Sequence, residues 1–282
     1  MNSKLLLIIV ILTVLSYWYY QTTIDTNENY MVPYNILNKK SKCFSLKSIK
    51  LKKNFLSKFR YTIGINKNDF EDDEWDKKIK SIIKELDISK SFKKEILEKV
   101  KDAKSISIGS KIDNQIIYYK LHIWYDLDKE ISKSGIKYEW NSDDKNPQIL
   151  VKDYSCETDI SADKINKQII KYSTYDINLY NTILALISDI FASPLREEVS
   201  NPVILYSTNN DGINSINIRL DDYNVKIKQI EEHLLKIGKY LDKKKDLEKW
   251  IKEENDMMLA SISFGFDYDK KFYFSIHNYT IH

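Results

Sequence analysis

Apolar residues recur with helical spacing in three stretches of the chain. In each stretch they return every three or four positions, which is typical of amphipathic helices that pack on a core. The second stretch begins at Ser161 and stops before Pro194, and the third covers residues 225–251. The positions that carry the spacing are Trp75, Ile79, Ile82, Ile83, Ile96, Val100, Ile165, Ile169, Ile183, Ile187, Leu234, Ile237, Leu247, Trp250 and Ile251. The pattern predicts three pairs of helices.

Stretches in which apolar and polar residues alternate lie around these helices. They occupy residues 45–66, 104–126, 136–153, 202–221 and 259–280. Each stretch is long enough for a β-hairpin, and an Asn-Asp-Gly sequence supplies the turn of one of them. The order of elements predicts an α+β fold class. In it an antiparallel sheet or barrel is built from repeated helix-pair and β-hairpin units, with the helices on one face.

Two of these hairpins resemble each other in sequence. Residues 105–109 read SISIG and residues 261–265 read SISFG, and a turn and a long aromatic strand follow each. The two long strands carry His122 and His277 at matching places. We interpret the match as an internal structural repeat, and chance resemblance between aromatic-rich strands is the alternative.

Each long strand divides its side chains between two faces, because consecutive strand residues point to opposite sides of a sheet. The apolar faces, which we expect to lie under helices, carry Tyr119, Leu121, Ile123, Phe272, Phe274 and Ile276. The opposite faces, together with one residue of the Asn-Asp-Gly hairpin, supply the candidate ligand-binding residues Tyr118, Lys120, His122, Arg219, Tyr273 and His277. These polar and aromatic side chains are not needed for packing, so we predict one continuous functional surface.

The chemistry of this surface follows from its side chains. A histidine acts as an acid or a base near neutral pH, and Arg219 is suited to a carboxylate or phosphate. The alternative for His122 is an ordinary half-exposed strand residue. Two histidines are too few for a zinc site, and nucleotide-binding motifs are absent from the sequence. We therefore predict neither a metal nor a cofactor, and we assign no catalytic residue.

Net charge argues against a nucleic-acid partner. The 44 basic residues nearly balance the 41 acidic ones, which leaves a formal charge of +3, whereas nucleic-acid binding depends on a strongly basic surface. One acidic motif, Asp126-Leu127-Asp128, follows the strand that carries His122. Such a motif holds a divalent cation in type II glycosyltransferases, or it simply ends the strand. The paired helices and hairpins do not suit the alternating nucleotide-binding half of those enzymes.

The N-terminal sequence predicts a membrane anchor. Residues 5–20 read LLLIIVILTVLSYWYY and carry no charge, and with their flanks they just reach the length of a membrane span. Bulky aromatic residues occupy the place where a signal peptide needs small ones. We expect a transmembrane signal-anchor over residues 1–21, a stem over 22–42 and an exported α+β domain over 43–282. A cleaved signal peptide and a soluble helix are the alternatives.

The charges beside this segment predict its orientation. Lys4 precedes it, and acidic residues follow it before the next lysine. The positive-inside rule then keeps the N-terminus in the cytoplasm and places the bulk of the chain in an exported or lumenal position. Membrane lipid is the partner that this single-pass topology implies.

Two cysteines, Cys43 and Cys156, fall in the predicted exported domain. They either form a disulfide or remain two buried free thiols. A disulfide would close a long loop and stabilise the domain by ~4 kcal/mol in the chain-entropy model.

The succession of helix pair and hairpin over residues 73–282 resembles the ααββ barrel of the aromatic prenyltransferases. The resemblance is one of element order, and no motif of that family accompanies it. It implies a closed sheet whose polar-aromatic face lines a lumen. Of the basic residues usual in that lumen, the sequence pattern identifies only Lys120 and Arg219.

Two functional interpretations follow. The main one is a single-pass membrane-anchored protein whose exported domain is a binding or structural module for a small molecule or a protein. The alternative is a membrane-tethered enzyme with a small-ligand site on the polar-aromatic face, either a prenyltransferase-like barrel or a type II transferase. An enclosed site favours the enzyme, and a flat exposed face favours binding.

Overall fold

The computed structural model describes much of the chain after residue 42. The described residues are 43–57, 60–113, 116–125, 135–141, 143–144, 148–151, 153–157, 166–167, 170, 176–192, 204–209, 212–220, 223–267 and 270–279. The strands are β1 (Phe44–Lys52), β2 (Phe55–Ser57), β3 (Arg60–Asn66), β4 (Ser105–Asp113), β5 (Ile116–Trp124), β6 (Gly135–Asn141), β7 (Gln148–Val151), β8 (Asp153–Glu157), β9 (Ile204–Asn209), β10 (Gly212–Arg219), β11 (Leu259–Phe266) and β12 (Phe272–Tyr279). The helices are α1 (Asp72–Glu85), α2 (Lys90–Lys99), α3 (Ile177–Phe191), α4 (Glu231–Tyr240) and α5 (Lys244–Glu254).

The described strands form one antiparallel sheet. Its order is β7-β6-β5-β4-β3-β1-β12-β11-β10-β9-β8, and the short strand β2 pairs with β1 outside this path. The sheet curls until its two ends approach, so that Cα atoms of β6 lie within 8 Å of β8 and those of β7 within 8 Å of β9. Curling of this kind follows from the twist of neighbouring strands. We call the space on the concave side of the sheet the lumen.

Alternation along the strands decides which side chains face the helices. On β5, Leu121 and Ile123 are fully buried, and on β12 the same holds for Phe274 and Ile276. The predicted burial of these apolar faces is confirmed, and Phe272 is buried with them. Tyr119 is only half-buried, and it packs against the edge of the same core. The remaining positions of β5 and β12 therefore point into the lumen.

Two apolar cores lie between the convex side of the sheet and the helices. Helices α1 and α2 cover β3 to β6 through Trp75, Ile82, Ile83, Ile63 and Leu121. Helices α3, α4 and α5 cover β1 and β9 to β12 through a second set of side chains that includes Ile187, Leu234, Trp250, Phe264 and Phe274. Burial of each large apolar side chain stabilises the fold by about 1.5–3 kcal/mol, so these two cores hold the curled sheet from outside.

The predicted fold class is wrong in placing a transmembrane helix ahead of the sheet. Spanning a bilayer takes about 20 residues, whereas the apolar helix α3 has 15. No helix within the described residues is long and apolar enough to cross a membrane. The apolar run at residues 5–20 lies outside the described residues. The architecture that the structure supports is a curled antiparallel sheet with helices packed on its convex side.

The predicted membrane location is corrected on the same finding. We interpreted the N-terminal run as a signal-anchor of a single-pass protein, with a cytoplasmic N-terminus and an exported bulk. That interpretation relied on flanking residues, because the uncharged run of 5–20 is shorter than a typical span. The helices of the described part of the chain do not support it, and we no longer assign membrane lipid as a partner. The predicted domain limits at residues 21 and 42 are untested.

Two elements differ from the sequence pattern. Strand β8 was not predicted, because its letters DYSCE lack a clear apolar alternation. The stretch that we expected to be helical from residue 225 begins with a 3-10 turn over Ile227–Ile230, and the helix starts at Glu231. Most of the helix predicted from Ser161 falls outside the described residues.

Replacing Ile123 by Asp is expected to unfold the domain. The side chain is fully buried beneath α1 and α2, where an unpaired carboxylate would cost more than about 4 kcal/mol. The matched variant Ile123→Val removes one methylene and should cost about 1 kcal/mol. Thermal melting of both variants measures the difference. Similar melting of Ile123→Asp and the wild-type protein would mean that this strand face is not buried under helices.

Candidate functional site

Small residues open space on the lumen side of the two repeated strands. On β4 these are Ser107 and Gly109, and on β11 they are Ser261, Ser263 and Gly265, which neighbour β5 and β12 respectively. A Cβ atom at Gly109 would lie 2.8 Å from Thr62 Oγ1, so glycine permits this close approach of strands. The SISIG and SISFG sequences thus leave space on the lumen side of β4 and β11. The longer side chains of the neighbouring strands β5 and β12 extend into that space.

Basic side chains from five strands face this space. We call them the basic cluster, and they are Lys50, Arg60, Lys111, Lys120 and Lys137. The sheet register brings them together: Arg60 lies opposite Lys111, and Lys137 lies opposite His122. Each alternates with outward residues such as Leu121, whose burial under helices fixes the inward direction of its neighbours.

One carboxylate lies within the basic cluster. Glu139 on β6 forms ion pairs with Lys111 and Lys120, and each nitrogen lies 3.4 Å from a carboxylate oxygen. Burial alone would raise the pKa of Glu139, but Lys120, Lys111 and Lys137 lower that pKa to about 2. Glu139 is therefore ionised at neutral pH, and one negative charge faces several positive ones.

Crowding affects the protonation of two lysines in the cluster. Burial, followed by the charges of Arg60, Lys52 and Lys137, lowers the pKa of Lys50 to about 6. Burial also lowers the pKa of Lys137 to about 8, against the opposing effect of Glu139. Burial and the charge of Lys137 likewise lower the pKa of Lys120 well below its ordinary value. The lumen thus holds more basic groups than it can keep fully charged.

Aromatic rings lie beside two of the amino groups. Lys50 Nζ is 3.7 Å from the ring centroid of Tyr273, and Lys111 Nζ is 4.4 Å from that of Tyr118. Tyrosine faces attract cations through the negative potential of the ring. The two rings therefore turn their faces toward the basic cluster.

Both repeat histidines belong to the same group of side chains. Burial, then Lys137, Lys120, His277 and Arg60, lower the pKa of His122 well below its ordinary value. Burial, then Arg60, Lys120 and Lys137, lower the pKa of His277 to about 3. Both rings are neutral at pH 7.

His277 also contacts the repeated strand β11. Its Nε2 atom lies 3.4 Å from Ser263 Oγ, within hydrogen-bonding distance. The His277 ring therefore stands between the basic cluster and the small residues of β11.

The structure brings most of the predicted surface together. Tyr118, Lys120, His122, Tyr273 and His277 all face the lumen, and their role in ligand binding stays a prediction. Arg219 differs, because it is exposed near the end of β10 opposite Ser261.

Sequence reasoning missed Lys50, Arg60, Lys111, Lys137 and Glu139. The alternation in β1, whose letters are FSLKSIKLK, already places Lys50 opposite the apolar Ile49 and Leu51. Assigning that face to the lumen required the pairing of β1 with β3 and β12. The number of basic residues in the lumen is consequently larger than the two that the sequence identified.

Two other sequence predictions remain untested. Cys43 is half-buried, and burial raises the pKa of its thiol, but the side chain of Cys156 lies outside the described part, so the disulfide stays a prediction. Asp126 and Asp128 also lie outside it. Within the described residues, no group of three or more histidine, cysteine, aspartate and glutamate side chains is placed to hold a metal ion.

Several solved structures that resemble this chain are prenyltransferases. PriB in a binary complex with its product diphosphate has a TM-score of 0.53 at 6% identity, over 84% of this chain and 79% of that one. PriB has also been solved in a ternary complex with L-tryptophan and dimethylallyl thiolodiphosphate. NotF matches with a TM-score of 0.49 at 9% identity, over 84% of this chain and 80% of that one. AnaPT from Neosartorya fischeri matches with 0.47 at 9% identity, over 83% of this chain and 77% of that one.

The likeness to PriB concerns the fold alone, since a fold does not transfer function by itself. It agrees with the barrel resemblance inferred from the order of helix pairs and hairpins. No protein-family model matches the chain, and no curated protein matches it significantly. Any activity must therefore be argued from the side chains in the lumen.

Replacing Lys50 by Met is expected to flatten the pH dependence of stability. The folded pKa of about 6 lies below the ordinary 10.5, so between these values the unfolded chain binds a proton that the folded protein does not. Stability from this group is complete above pH 10.5 and is lost as the pH falls toward 6. The free energy of unfolding then rises with pH by up to about 1.4 kcal/mol per unit.

Urea denaturation at pH 7 and pH 9 measures this rise. Lys50→Met should show a smaller rise than the wild-type protein, and the exposed-site variant Lys228→Met should keep the wild-type rise. Equal rises in all three proteins would contradict the crowding that we describe around Lys50.

Proposed function

We propose that this protein is a prenyltransferase-type enzyme that binds an allylic diphosphate in the lumen and transfers its prenyl group to a small acceptor. The observation that carries the proposal is the basic cluster inside a curled sheet of the PriB type. Lys50, Arg60, Lys111, Lys120 and Lys137 converge, and Glu139 is the carboxylate partner of Lys111 and Lys120. The cluster therefore has positive charge in excess, and a bound anion would compensate it.

A diphosphate suits this cluster in charge and in hydrogen bonding. Its oxygens accept several hydrogen bonds, and lysine and arginine donate the strong, charge-assisted ones. Arginine adds a planar pair of donors to the point charges of the lysines. Because the lumen is largely shielded from water, these interactions are stronger than at an exposed surface.

The same groups support cleavage of the donor. In the proposed step the allylic C–O bond breaks, its electron pair leaves with the diphosphate, and a carbocation remains. The basic cluster stabilises the charge that develops on the leaving group. The faces of Tyr118 and Tyr273, which already lie beside amino groups, stabilise the carbocation through cation–π interactions.

The acceptor then forms a bond with the carbocation and loses a proton. A neutral imidazole accepts a proton, whereas a charged one does not. The low pKa values of His122 and His277 keep both rings neutral in the physiological range. These two histidines are therefore our candidates for the proton acceptor.

These observations favour the enzyme interpretation over a binding or structural module. The candidate groups point to the concave side of the curled sheet and are largely buried there, whereas a docking module is expected to present an exposed face. PriB binds diphosphate, L-tryptophan and dimethylallyl thiolodiphosphate, which supports a small-molecule partner here. A type II transferase is not favoured, because the antiparallel sheet lacks the alternating βα half that binds nucleotides.

Binding and turnover of dimethylallyl diphosphate test the proposal. Lys120→Met and Lys137→Met should each weaken donor binding by about tenfold or more, because each removes a charge-assisted hydrogen bond of about 1.5–3 kcal/mol. Calorimetry measures the affinity, and mass spectrometry detects prenylated indole, phenol or L-tryptophan. The exposed-site variant Lys228→Met is the matched control. A wild-type protein that does not bind the donor would refute the proposed function.

Tyr273 provides a test of the carbocation step. Tyr273→Leu removes the ring and should lower kcat about tenfold with little change in donor affinity, because the ring stabilises a charge that exists only after the bond breaks. Tyr273→Phe keeps the ring and should retain most of kcat. If Phe and Leu reduce kcat equally, the hydroxyl or its hydrogen bond with Ser215 matters instead of the ring.

A further inference from the structure

Lys50 differs from Lys111 and Lys120 in how its charge is compensated. Lys111 and Lys120 form ion pairs with Glu139, and Lys52 forms one with Asp267. Among the described residues, no ion pair joins Lys50 to a carboxylate, and its amino group instead contacts the ring of Tyr273. The charge of Lys50 therefore depends on what enters the lumen.

Charged and polar groups on several neighbouring strands surround Lys50. On β1 its neighbour in charge is Lys52, and on β12 the facing groups are Tyr273 and His277. Arg60 on β3 and Lys137 on β6 act on it as like charges, and Asp267 after β11 opposes them. Across the sheet register, Lys50 is paired with Ser275 and Ser57, which carry no charge. The surroundings are thus positive on balance.

We propose that Lys50 gains its proton only when the diphosphate of the donor enters the lumen, so that donor binding is coupled to proton uptake at this side chain. This inference rests on the proposed function, because it assumes that the anion site is the basic cluster. The step moves one proton from solvent to Lys50 Nζ and leaves the donor unchanged. Lys50 is then a charge-sensing part of the donor site.

The sign of the effect follows from linkage. An anion beside Lys50 favours the charged amine and raises its pKa from about 6. Between the free and bound values, each donor that binds takes up a proton, and affinity falls about tenfold for each unit that the pH rises. Below pH 6 the amine is already charged in the free protein, so this dependence disappears.

The specificity of the site follows from the same coupling. A ligand with a large negative charge compensates the cluster and charges Lys50, whereas a neutral or singly charged ligand leaves the amine neutral. We therefore expect the site to bind a diphosphate more tightly than a monophosphate. The difference in affinity should exceed what the additional hydrogen bonds of the diphosphate alone would give. A permanently charged residue at position 50 would lessen this preference.

Calorimetric titration with dimethylallyl thiolodiphosphate at pH 8 tests the coupling. The heat is measured in two buffers with different ionisation enthalpies, and the difference gives the number of protons taken up per ligand. At this pH the diphosphate group of the probe is ionised, so the protons bind to the protein. We expect Lys50→Arg, whose guanidinium is always charged, to take up about one proton fewer than the wild-type protein.

Two variants separate this effect from loss of the site. Lys111→Met removes a lysine that is paired with Glu139, so it should weaken binding yet keep the wild-type proton uptake. The affinity for the probe should fall between pH 7 and pH 9 in both proteins, but less steeply in Lys50→Arg. For each unit that the pH rises, the variant should lose about tenfold less affinity than the wild-type protein. The arginine variant keeps a long basic side chain at position 50, and its melting temperature checks that it is folded.

The outcomes distinguish the two proposals. If the wild-type protein does not bind the probe, the proposed function fails and the coupling fails with it. If the wild-type protein binds the probe but Lys50→Arg takes up as many protons, Lys50 is not the coupled group and this inference alone is overturned. Reduced uptake in Lys50→Arg with unchanged uptake in Lys111→Met supports it.

Discussion

Packing of apolar strand faces against the outer helices is the interaction on which the rest of the structure depends. Ile123 on β5 and Phe274 on β12 are fully buried outside the lumen, in separate cores. Because strand residues alternate, fixing these side chains outward forces their neighbours inward. The helices therefore determine which side chains line the lumen, although they pack on the opposite side of the sheet.

Stabilisation from outside lets the inside carry groups that oppose folding. Buried charges and like charges held together destabilise a fold. Burial and, after it, the neighbouring positive charges lower the pKa values of Lys50 and Lys137. Glu139 compensates part of this cost through its ion pairs with Lys111 and Lys120. The two apolar cores offset the remaining cost of this arrangement.

The internal repeat has a spatial meaning that sequence similarity alone does not have. Its two copies, β4 and β11, lie on either side of the pair β1 and β12 in the order of the sheet. Each copy contributes serine and glycine to the lumen, and each lies beside a strand that contributes histidine. Small residues make room, and the adjacent strand supplies a histidine beside that space.

The sequence by itself determined the hairpins, the amphipathic helices and the two faces of β5 and β12, because these follow from local periodicity. It therefore placed Tyr118, Lys120, His122, Tyr273 and His277 on one kind of surface. It also predicted a transmembrane helix, whereas no helix in the described part of the chain is long and apolar enough to cross a membrane. The sequence also grouped Arg219 with these residues, whereas the structure shows it exposed at the end of β10. Alternation along a strand indicates the face of a residue but not its exposure.

Only the tertiary structure decided that five basic side chains meet. Lys50 and Lys137 are 87 positions apart in the sequence, and no local pattern connects them. They come together because the sheet curls and the pairing of β1 with β3 and β12 turns one face of β1 toward the lumen. The charge crowding and the neutral histidines both follow from this curling, which depends on long-range strand pairing and not on the order of residues within any one strand.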